Sequence, residues 1–248
     1  MTENFIRIAG KDGNGIYGRL RSAGSRKLII HVHGMTHSMD HMLEVKAAEY
    51  FTAHGFDHYR VGLYARLPDS RKLAASTLST HVSDMRCVLD HFSALYDEIY
   101  VTAHSLGGLV MMILNPENVS VMSLWDPATD VTHFWSTGTY LEHMPERGQY
   151  QLDYGNVFVI GEAFVDEIAQ YPDAACLDLA REISVPTQFV IPSLSSFDAN
   201  PHISPKAYAD AFQGDFDLQY IENAIHTFSN EGNPEKLFEA TRNWFVKY

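Results

Sequence analysis

Apolar and polar residues alternate along this chain in blocks of two kinds. Phe5 to Ile8 and Ile16 to Leu20 are short strand-like runs flanking Gly10-Lys-Asp-Gly-Asn-Gly15, which predicts a β-hairpin with a glycine-rich turn. Lys27 to His33 is almost continuously apolar and closed by Gly34, the pattern of a strand buried on both faces. Met39 to Phe51 has helical spacing, with Met42, Val45 and Ala48 on one side and a stop near His54-Gly55. A strand over His58 to Val61 follows, then a long amphipathic helix over Ala74 to Tyr96, striped by Leu78, Val82, Met85, Leu89 and Phe92. Ile99 to Ala103 reads as a strand running into a helix over Ser105 to Ile113 that Asn115-Pro116 stops, and Val119 to Trp125 as another strand.

The rhythm breaks over about 127–184, a stretch rich in Tyr, His, Gly and Asp with one strand-like piece at Val157 to Ile160. It resumes with a strand at Thr187 to Ile191, a helix at Pro205 to Phe212, a strand at Asp217 to Glu222 and a helix at Pro234 to Val246. Strands alternating with helices predict crossover units and a mostly parallel sheet covered on both faces. The chain is expected to be one α/β domain, 1–248, with the irregular middle as a cap-like insertion over the C-terminal edge of the sheet, where open α/β sheets place their sites.

Composition narrows the partners. At 248 residues, 46% hydrophobic and 20% charged, the chain can bury a large core without disulfides or structural metal. Its two cysteines, Cys87 and Cys176, form no C-x-x-C pattern and are expected to be free thiols in a cytoplasmic protein. A net charge of −13 argues against nucleic acid and anionic membranes as partners. No apolar run is long enough to span a bilayer, and the first residues lack the pattern of a secretory signal. A homodimer is left open.

The strongest chemical signal is Thr102-Ala-His-Ser-Leu-Gly-Gly108, between a predicted strand and a predicted helix. There a serine can sit on a sharp, strained turn with its hydroxyl exposed above the sheet. Gly107 permits close approach of strand and helix, while Ala103 stands where glycine is usual. The bland alternative is a serine that caps an ordinary helix.

These residues, with His33-Gly34 after a strand, Val185 to Ile191 and Ala224-Ile-His-Thr-Phe228, make the chain resemble the α/β-hydrolase superfamily, most closely its small carboxylesterases and acyl hydrolases with a short cap. The resemblance covers essentially the whole chain. It implies an α/β-hydrolase fold and a serine hydrolase that cleaves a carboxylic ester, with small to medium acyl group, through an acyl-enzyme. Ser105 would be the nucleophile and His226 the base. The N–H groups of Met35 and Leu106 would form the oxyanion hole, with Gly34 allowing the turn and His33 and His104 supporting the loops. The acid falls on Asp198, the one carboxylate in Pro192 to Ile203; it comes later than usual, and Asp126 in Leu124-Trp-Asp-Pro is the alternative. Phe134, Trp135, Tyr140, Met144, Tyr150 and Phe158 are candidates for an apolar pocket wall, or else simply pack the insertion on the sheet.

His31 to His41, His-Val-His-Gly-Met-Thr-His-Ser-Met-Asp-His, raises a rival. It resembles the H-x-H-x-D-H run of metallo-β-lactamase-like hydrolases, but residues intervene between H-x-H and Asp40-His41, so no catalytic metal and no cofactor are expected. A small-molecule ester or acyl substrate is the expected partner. An acyltransferase or thioesterase would use the same residues; a metallohydrolase or a non-catalytic binding module would not need Ser105.

Overall fold

The computed structural model describes residues 2–136, 138, 140–194 and 205–248. An eight-stranded sheet runs in the order β1 (Thr2–Ala9), β2 (Gly15–Ser22), β4 (Asp57–Gly62), β3 (Lys27–Val32), β5 (Glu98–His104), β6 (Val121–Trp125), β10 (Thr187–Pro192) and β11 (Phe216–Ile221). β1 and β2 form the predicted hairpin, β2 meets β4 antiparallel, and the remaining pairs are parallel. β4, β6 and β10 are buried along their whole length, and β3 and β5 at all but the first residue, which explains their continuous apolar runs.

Helices cover both faces. α1 (Met42–Ala53) packs with α8 (Asn233–Phe245) on one side, closing a core that includes Ile29, Phe51, Trp125, Phe228 and Phe238. On the other side α2 (Leu78–Ser93) packs against α3 (Leu106–Leu114), α3 against α6 (Asp173–Glu182), and α6 against α7 (Pro205–Ala211), over a core that includes Ile30, Val101, Leu109 and Phe189.

Three elements differ from the sequence reading. The helix expected from Ala74 starts at Leu78, because Thr77 caps it: the Thr77 hydroxyl accepts the Thr80 N–H at 3.2 Å, and the Thr80 hydroxyl accepts the Thr77 N–H at 2.8 Å. α1 buries Leu43, Glu44, Ala47, Ala48 and Phe51, while Met42, expected inside, is 55% exposed. The stretch between β6 and β10 holds more order than one strand-like piece. Beyond a short helix α4 (Val131–Ser136), it forms a separate antiparallel sheet of β7 (Leu141–Met144), β8 (Gln149–Asp153) and β9 (Val157–Gly161), then α5 (Glu162–Ile168). α6 follows and joins the helical layer on α3 and α7, although it lies within the stretch read as an insertion.

Both cysteines are free; burial pushes the Cys176 thiol up to about 11. No described helix is long and apolar enough to cross a membrane.

Candidate active site

The turn after β5 carries Ser105 at φ 51° and ψ −118°, a conformation that side-chain-bearing residues adopt only when their surroundings impose it. Two backbone bonds do so: the Ser105 N–H donates to Trp125 O at 3.0 Å, and the Ser105 carbonyl accepts the Ala128 N–H at 2.9 Å. Gly107 makes the turn sterically possible, since a Cβ there would lie 2.4 Å from the backbone oxygen of Val32.

His226 stands in the loop between β11 and α8, bracketed by Asn223 and Phe228, both at positive φ. Its Nε2 is 3.0 Å from Ser105 Oγ and its Nδ1 is 2.5 Å from Asp126 Oδ2. An ionised carboxylate only accepts, so Nδ1 carries the proton and Nε2 faces the serine hydroxyl with its lone pair. Asp126 directly follows β6 at φ 42°, its N–H bonded to Val190 O at 2.9 Å, and its side chain is 5% exposed. The three side chains thus come from the C-terminal ends of β5, β6 and β11. Asp198, the other carboxylate considered for this position, lies outside the described residues.

His104 reaches across to the same loop. Its Nε2–H donates to the backbone oxygen of His226 at 2.9 Å, and burial holds its imidazole well below the usual pKa, hence neutral. Its Nδ1 is buried without a hydrogen-bond partner.

After β3, Gly34 to His37 form a turn closed by the His37 N–H on Gly34 O at 3.3 Å, with Thr36 at φ 66°. His33 fixes that turn. Its Nε2 accepts the Leu63 N–H at 3.1 Å, so its Nδ1–H must donate to Gly34 O, at 2.8 Å. Burial lowers the His33 pKa to about 4, which keeps it in this neutral form. A Cβ on Gly34 would lie 3.0 Å from His104 Nδ1 and 3.1 Å from Ser105 Cβ, so glycine is what lets this turn lie against the serine. Leu106 opens α3, so its N–H has no acceptor within the helix.

A cleft of about 420 Å³ opens above Ser105 and His226. Met35, His37, His41 and His104 form one wall, and Phe134, Tyr154 and Phe158 bring aromatic surface from the segment around the small sheet. Of the residues expected to bind substrate, Gly34 and His104 line the cleft, whereas His33 and Trp135 stand behind it. Trp135 is buried and donates its indole N–H to the Tyr154 hydroxyl at 2.6 Å. Tyr154 was not anticipated; nothing but its place after β8 marks it in the sequence.

His31 is buried against Thr102 and Trp125, not in the cleft. Glu44, missed in the sequence reading, is buried beside His37 and His41. The spacing His41-x-x-Glu44 at a helix start could have revealed it, because residues three apart share a helix face.

No family model and no curated protein matches the chain. Solved structures do. Est1E from Butyrivibrio proteoclasticus is 19% identical and superposes with a TM-score of 0.78 over 98% of each chain. The esterase domain of a Rhodothermus marinus protein is 17% identical, with a TM-score of 0.77 over 100% of this chain and 99% of that one. The mouse alpha/beta hydrolase domain-containing protein 10 is 17% identical, with a TM-score of 0.74 over 98% of this chain and 99% of that one. The strand order, the serine turn after β5 and these superpositions together give the chain an α/β-hydrolase fold.

Proposed function

We propose that the protein is a serine hydrolase that cleaves carboxylic esters through an acyl-enzyme on Ser105. The observation that carries this reading is the unbroken relay from Ser105 Oγ through His226 to the buried Asp126 carboxylate. A serine hydroxyl is a weak nucleophile at neutral pH and needs such a base, itself oriented by a carboxylate.

Ser105 Oγ attacks the ester carbonyl carbon while its proton passes to His226 Nε2. The carbonyl oxygen becomes an oxyanion held by the N–H groups of Met35 and Leu106. Collapse breaks the C–O bond to the alcohol, which takes the proton from His226 Nε2–H as it leaves. Water then gives a proton to His226 Nε2 as it attacks the acyl carbon, and collapse breaks the C–O bond to Ser105 Oγ, which takes that proton back as the acid is released. Asp126 accepts the Nδ1–H of His226 throughout and stabilises the imidazolium.

Supporting this reading, solved proteins from Rhodothermus marinus and Pyrococcus furiosus that share the fold are named esterases, and Est1E is seen with ferulic acid bound. The aromatic wall of Phe134, Tyr154 and Phe158 suits an apolar acyl or alcohol group of small to medium size. The test is covalent labelling with a fluorophosphonate probe. Wild type is expected to be labelled with loss of esterase activity, and Ser105→Ala to be inert to the probe; equal labelling of both proteins sinks the assignment.

A further inference from the structure

Glu44 is fully buried on α1, yet its carboxyl is ionised: burial opposes the charge, and the imidazoles of His31, His37 and His41 outweigh it, holding the group well below the carboxylate range. Each oxygen has its own donor. His37 Nδ1 is 3.0 Å from Oε1 and His41 Nδ1 is 2.8 Å from Oε2, with the two rings stacked at 3.7 Å. The Leu43 N–H also approaches His41 Nδ1, but at 3.5 Å it does not compete with a bond to a carboxylate. His31 Nε2, at 3.8 Å, is beyond hydrogen-bond reach.

The same atoms lie within 4.8 Å of one another, close enough to suggest a metal site. Each Nδ1 instead lies at hydrogen-bond distance from its own carboxylate oxygen, and the two rings stack at 3.7 Å with their planes tilted by 22°. The arrangement is a hydrogen-bonded clamp.

With both Nδ1–H groups turned inward to Glu44, the Nε2 edges face the other way, and both residues line the catalytic cleft. A buried carboxylate needs a compensating charge. No Lys or Arg pairs with Glu44 among the described residues; its ion-pair partners are the imidazoles of His31, His37 and His41, and Glu44 in turn raises the pKa of His41. His33 and His104 next to them are kept neutral by burial. The N-terminus of α1, capped by His41, adds its positive end. Among the described residues lining the cleft there is no Asp, Glu, Lys or Arg; the nearest carboxylates, Glu44 and Asp126, stand behind the imidazoles of His37, His41 and His226, which present their rings to the cleft.

We propose that His37 and His41, braced from behind by Glu44, form a binding site for a carboxylate borne by the ester substrate, so that the protein prefers half-esters and other anionic esters over neutral ones of the same size. This rests on the ester-hydrolase reading above. The Nε2–H of protonated His41 donates to the substrate carboxylate while its Nδ1–H stays on Glu44 Oε2.

The test uses three esters of equal chain length that differ at the far end: 4-nitrophenyl hexanoate, mono-4-nitrophenyl adipate and 4-nitrophenyl 6-aminohexanoate. His37→Asn and His41→Asn, singly and together, keep an N–H donor near Glu44 and delete Nε2. The double variant is expected to lower the adipate-to-hexanoate ratio of kcat/KM by about tenfold or more, mainly through KM, as for loss of a charge-assisted hydrogen bond. The aminohexanoate-to-hexanoate ratio is expected to stay level or rise. Folding is read by fluorophosphonate labelling of Ser105; should the double variant not fold, His41→Asn alone carries the test, with a severalfold drop. An unchanged or increased adipate ratio overturns the proposal and leaves the esterase reading standing. Wild type that hydrolyses none of the three esters overturns both.

Discussion

Asp126 shows how much a single backbone dihedral can decide. At φ 42° its backbone turns away from the direction of β6, and its carboxylate lies 2.5 Å from His226 Nδ1. The serine and histidine could be placed from sequence because each sits at a recognisable junction, strand to helix for Ser105 and last strand to last helix for His226. The carboxylate was harder to place, because two strand ends offered one each: Asp198 was favoured as the one carboxylate in the loop after β10, although it comes later than usual, and it is Asp126 that lies against His226. Left-handed backbone at an aspartate leaves no mark in composition or periodicity. Asp126→Asn is expected to reduce turnover by about 10³- to 10⁴-fold with folding intact, because an amide favours the wrong imidazole tautomer. Asp198→Asn is expected to keep turnover within a few-fold. Rates on 4-nitrophenyl butyrate for the two purified variants, with thermal melts as the folding control, distinguish them; a large loss in the Asp198 variant alone reverses the assignment.

At the scale of elements, the central sheet was legible wherever burial on both faces forced continuous apolar runs, as in Leu28 to Val32 and Tyr100 to Ala103. The small sheet was not, since β7 and β8 are half-exposed and polar, with the alternation masked by Gln149, Gln151 and His143. The face of α1 was misread for a related reason. A helix is expected to bury its apolar residues, but here the ion-paired Glu44 goes inside and Met42 goes out. A periodicity argument has no term for a buried charge with its own imidazole partners. The start of α2 was overrun because Ala74 continues the helical pattern, while the reciprocal bonds of Thr77 and Thr80 satisfy the N-terminal donors three residues later. Thr77→Ala removes that cap and is expected to cost about 1 kcal/mol. That corresponds to about 2–4 °C in Tm for a chain of this size. Because α2 packs on α3 behind the serine turn, calorimetry should show this loss with esterase activity preserved at 25 °C; a Tm unchanged within error would mean the helix end is held by its packing.

The whole molecule carries an unusual load of buried imidazole. His33, His58, His81 and His104 are all fully or almost fully buried, and burial lowers the pKa of each, to about 4 for His33 and about 3 for His81. In the unfolded chain these groups titrate near 6.5, so below that pH the unfolded state binds protons that the folded state refuses. The contribution is therefore fully present above pH 6.5 and is lost as pH falls toward the folded values. Each histidine costs up to about 1.4 kcal/mol per pH unit in that window. His41 has the opposite sign: Glu44 raises its pKa, so its contribution is present below about 6.5 and is lost as pH rises through the raised value. Glu44 contributes stability that is present above the unfolded carboxylate pKa of about 4.3 and is lost as pH falls from there through its depressed value, so it does not offset the histidines between pH 6.5 and 5. Between pH 6.5 and 5 the buried histidines consequently dominate, and two of them already represent about 4 kcal/mol, a large share of the 5–15 kcal/mol that holds a typical domain. His81 isolates the effect: both of its ring nitrogens are buried without hydrogen-bond partners, and its ring packs near Tyr64 and Phe164, so a phenyl ring can replace it without losing a bond. Urea titrations at pH 7.5, 6.5, 5.5 and 5.0 should show wild-type stability falling steeply below 6.5, and His81→Phe should lessen that fall by about 1–2 kcal/mol at pH 5. If the two proteins lose stability in parallel, the acid sensitivity arises from other groups and His81 is not refusing a proton in the folded state.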